Sequence, residues 1–412
     1  MRLRLVPGAA LAVLTMVAAM AAAAAVDAPY IPADDSVVLE RFVVPRLPGS
    51  ASLRELRDAW TAKPDFLPTA LAYARAALEL NRREEDPRYL GYAEAALRQW
   101  WTRPQPPPEV MLLRASLRLA RVDYGGAEQD LGALIQSAAP EGHAARISRA
   151  GLYVSKGDPS AALADCEAAR EYVSPLVAST CIAAARGLAG DAADALAQLD
   201  AALAANPGVP VATLLWSRGV AAELAQRLGR TAAARRHFEE ALRAMTAAST
   251  TDPGLLASYA DFLLDQGEYR QAQALLAPYQ RQDSLLLRLT LAERAHGAAG
   301  DAASAGAADE HARRLELRFQ EMRERGDKSH LREQAMFELG IRHDAPRALQ
   351  LMQQSWVFLR EPVDARVYLR AAIAAKAPNA ALPVREWLRQ SGLEDARLTP
   401  ELAAAQKLAT TP

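Results

Sequence analysis

The sequence predicts an all-α solenoid of about nine helix–turn–helix repeats, preceded by an extended N-terminal arm. Three observations carry this. Alanines recur at Ala93, Ala127, Ala162, Ala195, Ala234, Ala272, Ala305, Ala348 and Ala381, a spacing of roughly 34 residues that marks stacked units, each unable to bury its apolar face alone. Apolar residues make up 51% of the chain and aromatics only 6%, so Ala, the strongest helix former and small enough for close helix packing, dominates the core. Turn signals built on Gly, Asp and Pro fall between paired helical stretches.

The first 25 residues read as an export signal. Arg2 and Arg4 open a short positive region, an apolar run follows from Gly8 to Ala25, and Ala23-Ala24-Ala25 supplies a small-residue cleavage site. Cleavage is expected after Ala25; the alternative is an uncleaved anchor, for which the run is short and Ala-rich. No Cys lies near the site, which argues against a lipoprotein, and no later stretch has the length and apolarity of a span. The expected location is periplasmic or secreted, with no stable membrane span once the signal is removed. A net charge of -1 implies no basic face for nucleic acid.

Residues 26–66 do not repeat. Pro29, Pro32, Pro45, Pro48 and Pro64 forbid a long helix, so most of this arm should be extended, with a short helix from Ser52 to Ala62 capped by Ser52 and Glu55.

From Leu67 to residue 400 the pattern is paired helices. Around Ala162, Arg146, Ala150 and Tyr153 share a face of a first helix. Lys156-Gly157-Asp158-Pro159 ends it and starts a second, whose inner face carries Ala162, Cys166 and Ala169. The grammar returns with Gly190-Asp191, Gly229-Arg230 and Gly267-Glu268. Ala115, Ala150, Ala183, Ala222 and Ala260 fill one small-residue slot of the first helices. This order (small residue, Gly, Ala, Phe or Leu, Ala, closing Pro) resembles the tetratricopeptide repeat (TPR), best between Glu109 and Pro278. Three units depart from it: that around Ala93 carries Glu84-Glu85-Asp86-Pro87 between its halves, that around Ala305 has Glu293 in the small slot, and that around Ala348 has Met336 there and His343 where Gly is usual. Ala303 to Arg325 reads as an extended, charged second helix ending at Gly326. Residues 401–412 read as a tail.

The TPR resemblance implies a right-handed superhelix whose first helices line a concave groove. The residues expected there are Leu112, Leu119, Ile147, Val154, Trp216, Glu223, Asp261, Phe337, Arg366 and Arg370, with Trp216 the best single contact because a large amphipathic ring suits an interface. The implied role is a scaffold or adaptor holding an extended peptide or partner helix, within a cell-envelope complex. The alternative is a composite ligand-binding or enzymatic pocket between the arm and the first repeats.

Cys166 and Cys181 invite a disulfide in an exported chain, their midpoint falling at an inter-helix turn near Val173 and Ser174; two small buried residues that never meet is the equal alternative. No nucleophile elbow, phosphate loop or His-Glu-x-x-His pattern occurs, so no catalytic residue and no cofactor are expected. The six histidines make no i,i+3 or i,i+4 pair, so no metal site is expected and each reads as a surface or helix-end residue. Pro104-Gln105-Pro106-Pro107-Pro108 reads as a rigid inter-repeat loop.

Overall fold

The computed structural model describes residues 50–410 together with residue 34; residues 1–25, expected to be an export signal with its cleavage site, and most of the arm lie outside them. The unit beginning at Ala51 carries the repeats and is the one described below.

Among the described residues, the elements are helices and turns. Helix α1 spans Ser50–Ala62, two residues longer at its start than expected. Ser52 therefore lies inside the helix and not at the start expected for it. Nine hairpins follow: α2 (Leu67–Glu84) with α3 (Arg88–Trp101), α4 (Pro108–Ala120) with α5 (Tyr124–Gln136), and α6 (Glu141–Ser155) with α7 (Pro159–Ala169). Then come α8 (Pro175–Leu188) with α9 (Ala192–Ala205), α10 (Val211–Arg227) with α11 (Thr231–Ala247), and α12 (Pro253–Asp265) with α13 (Tyr269–Leu276). The last three are α14 (Asp283–Ala298) with α15 (Ala302–Glu324), α16 (Leu331–Phe337) with α17 (Ala345–Ser355), and α18 (Pro362–Ala374) with α19 (Leu382–Ser391). Residues 401–410, expected as a tail, are helical: α20 spans Thr399–Thr410 and buries Ala405. Pro106 is buried and Pro108 opens α4, as suits a rigid connection whose N1 proline needs no donor.

The periodic alanines explain the hairpin contacts. Ala93, Ala127, Ala162, Ala195, Ala234, Ala272, Ala348 and Ala381 are buried, as are the five small-slot partners from Ala115 to Ala260. Ala305 is the exception and is exposed. In its unit Glu293, not a small residue, enters the interface and meets His311 Nδ1 at 2.8 Å, both side chains buried; α15 accordingly turns Ser304, Ala308, His311 and Leu315 inward. In the unit of Ala348, α16 runs into a π turn at 338–342 that ends at His343 in the left-handed region (φ 57°). Histidine thus performs the helix-ending role usually left to glycine.

Cys166 and Cys181 are bonded, joining α7 of one hairpin to α8 of the next. Asp130 and Asp165, both buried, each draw two arginines of their hairpin's first helix. Arg114 and Arg118 meet Asp130 at 2.6 and 2.9 Å; Arg149 and Arg146 meet Asp165 at 2.6 and 3.2 Å.

The array closes on itself. Ser284 Oγ donates to Glu85 Oε1 (2.6 Å) and Gln282 Nε2 to the Arg83 carbonyl (3.1 Å), so the seventh hairpin meets the first. Arg360 N donates to the Ser155 carbonyl (2.8 Å), and Trp387 Nε1 to that of Gly157 (3.0 Å). The Gly157 turn is pressed so closely that a Cβ there would lie 2.8 Å from Arg360 Cβ. Gly190 (φ 85°) lies directly under the Gly392 carbonyl. Its positive φ and the missing side chain are both required there.

Candidate functional site

Closure leaves a central cavity of about 710 Å³, walled by the first helices α8, α10, α12 and α14 on one side and by α16, α18 and residue 397 on the other. Its lining includes the apolar Leu215, Trp216, Val220, Leu264, Leu291 and Met336 together with a set of ionised side chains. The volume falls in the range of ordinary ligand pockets.

The charges come in pairs. Arg288 Nε and Nη2 grip Asp261 at 2.9 and 2.8 Å. Arg332 reaches Glu361 at 3.0 Å and Asp364 at 3.3 Å. Arg366 pairs with Asp265 and with Glu401, and Arg370 with Glu401 at 3.0 Å. Arg397 Nη2 donates to Glu223 Oε1 at 2.7 Å and to Asp395 at 2.6 Å.

These partners fix the protonation states. Burial alone would raise the carboxyls of Glu223 and Glu333, but cationic neighbours outweigh it and hold both at about 2: Arg397 and Arg227 for Glu223, Arg332, His330 and Arg288 for Glu333. Asp364, deeper and beside Glu361, goes the other way: burial lifts it to about 6 against the pull of Arg332. Burial also raises the Glu85 carboxyl, although Ser284 donates to it.

Of the groove residues expected from sequence, Val154, Trp216, Glu223, Asp261, Arg366 and Arg370 line this cavity. Four do not. Phe337 is core, buried against Phe319 with ring centroids 5.6 Å apart; it follows Met336, which lines the cavity with Arg332 and Glu333, and one step of α-helix turns its ring off that face. Leu112 packs on the Leu131–Leu134 cluster and Ile147 on the disulfide cluster, because neighbouring hairpins cover those faces. Leu119 is half-buried outside the lining. Sequence reading missed Arg227, Arg288, Arg332, Glu333 and Arg397. One signal was present: Arg288 interrupts the apolar run Leu285 to Leu289, a place where a charge survives only with a buried partner.

Two histidines correct the surface expectation. His237 is fully buried among Asp200, Arg218 and Arg236, and burial lowers its pKa; His311 is buried on Glu293. Among the described residues no cluster of His, Cys, Asp or Glu is arranged to hold a metal ion, and no helix is long and apolar enough to cross a membrane.

Consecutive antiparallel hairpins with small-residue contacts define a TPR-like helical solenoid. No family model and no curated protein matches the chain. Among solved structures, human IFIT1, solved as a dimer with m7Gppp-AAAA, is similar at 13% identity, with 88% of this chain and 87% of that one covered and a TM-score of 0.41. The Cut9–Hcn1 hetero-tetramer of the APC/C is similar at 13% identity (88% and 82% covered, TM-score 0.31) and the P58(IPK) TPR domain at 14% (88% and 93%, TM-score 0.21). The repeat assignment rests on the hairpins of this chain itself.

Proposed function

We infer that this chain is an exported, non-catalytic binding scaffold whose inner cavity takes a short extended segment of a partner polypeptide within the cell envelope. The carrying observation is the cavity's composition: its lining combines the half-exposed Trp216 ring and other apolar side chains with ion-paired ones. An amphipathic segment has use for both surfaces. The ionised groups are committed to one another, which suits recognition better than proton transfer. Export is supported by the Cys166–Cys181 bond, since disulfides persist in oxidising compartments.

The competing reading, a pocket between the arm and the first repeats, involves an arm described only from residue 50 onward. The cavity is lined mainly by the middle and last hairpins, with Glu85 beyond α2 and Val154 of α6 also in its wall. A photo-reactive side chain at Trp216 should cross-link a partner, and one at Tyr172, exposed and absent from the cavity lining, should not. Equal labelling from both positions, or none from Trp216, would reject the reading.

A further inference from the structure

Residues 392–398 connect α19 to α20 without regular helix. They run from the Gly190 turn to the end of α10, held as a bound peptide is held. Ala396 N donates to the carbonyl of Arg227, the last residue of α10, at 2.8 Å. Arg397 forks onto Glu223 with Nη2 at 2.7 Å and Nη1 at 3.3 Å. Leu393 and Leu398 are buried on either side. Residues 395–398 are folded into a turn, with Leu398 N donating to the Asp395 carbonyl at 3.0 Å and Arg397 N to Asp395 Oδ1 at 2.9 Å; a main-chain hydrogen bond, a charged anchor and flanking apolar side chains are the usual means of capturing a peptide segment. The seat is also incompletely satisfied: Nε and Nη1 of the buried Arg227 have no hydrogen-bond acceptor, a cost this strap leaves in place.

We propose that residues 392–398 are an internal ligand, occupying a seat meant for an arginine-bearing segment of a partner chain that enters by displacing them. The proposal rests on the reading that partners bind the inner face, and it adds what they carry: an arginine for Glu223 with apolar residues close on both sides.

The test uses the full chain and a fluorescent peptide of residues 391–400. Arg397→Ala should loosen the strap, and the variant should then bind the peptide roughly tenfold or more tighter than the unaltered chain, because a competitor at high effective concentration is lost. Arg397→Lys should fall between them, and a peptide carrying the same Arg397→Ala change should bind neither chain. Equal binding to all chains, or none to a variant whose thermal unfolding remains cooperative, overturns the proposal. Should Arg397→Ala fail to fold, Leu393→Ala replaces it under the same criteria. Partner cross-linking at Trp216 that persists while strap variants change nothing would sink the internal-ligand idea and leave the binding role standing.

Discussion

Glu223 and Arg397 lie 174 positions apart in sequence and 2.7 Å apart in space. The pair ties the fifth hairpin to the segment after the ninth, and so turns a ribbon of local contacts into a closed ring. It is also one of two places where a carboxylate is held far below its ordinary range, the other being Glu333.

That has a consequence in acid. A carboxyl whose folded value is about 2, against an ordinary 4.5, adds stability that is complete above about 4.5 and is lost as pH falls through 2. Asp364 has the opposite sign: raised from 3.8 to about 6, it favours the fold most below 3.8, and that contribution fades as pH rises through 6. Urea midpoints should therefore dip slightly from pH 5 to 7 in proportion to Asp364 and fall steeply below 4.5. Asp364→Asn should shallow the upper slope, to which the raised Glu85 carboxyl also contributes, and Glu223→Gln should shallow the lower one by about one proton. Unchanged slopes in either variant would contradict these assignments.

The closure can be measured separately from hairpin strain. Gly190 and Gly267 both have positive φ, but a side chain at Gly267 meets nothing within 4 Å whereas one at Gly190 meets the Gly392 carbonyl. Gly267→Ala should cost about 1 kcal/mol for the backbone alone. Gly190→Ala should cost about 1–3 kcal/mol more through forced displacement, with faster amide exchange across 392–398. Similar losses for the two would mean the ring contact contributes nothing.

What sequence could reveal was set by range. The nine hairpins were legible because Ala, Gly and cap residues act within a turn or two of themselves; Asp158, for instance, caps α7 by accepting from Ala161 N. The ring was not legible. Ser284 finds Glu85 and Trp387 finds Gly157 across 199 and 230 positions, with no periodicity to announce either. A few cavity residues were therefore foreseeable, among them Trp216, Glu223 and Asp261 on first-helix faces. Phe337 was misplaced by one helical step, since Met336 beside it is the residue that faces the cavity with Arg332 and Glu333, and Arg397 was missed because it belongs to no repeat.

Removing the covalent link between hairpins should be felt without unfolding them. The bond closes a loop of sequence separation 15, for which chain-entropy reasoning gives about 3 kcal/mol. The Cys166→Ala, Cys181→Ala double variant should lose that amount in urea unfolding while its far-ultraviolet circular dichroism stays native. A loss within about 0.5 kcal/mol of zero would show that the unfolded chain is not constrained by the link.

The period itself makes the last prediction. Ala222 is fully buried at the contact with Ala234, and a larger side chain there must separate α10 from α11. Ala222→Leu should cost about 1–3 kcal/mol by overpacking. Ala305 has the same position in the repeat by sequence but is exposed, lying beside Gly297, while Glu293 and His311 form a buried contact elsewhere in its unit. Ala305→Leu should therefore stay within about 0.5 kcal/mol of the parent, while Glu293→Ala should destabilise by stranding the His311 ring. If Ala305→Leu proves as harmful as Ala222→Leu, that hairpin keeps the ordinary register and the Glu293–His311 contact is not what holds it.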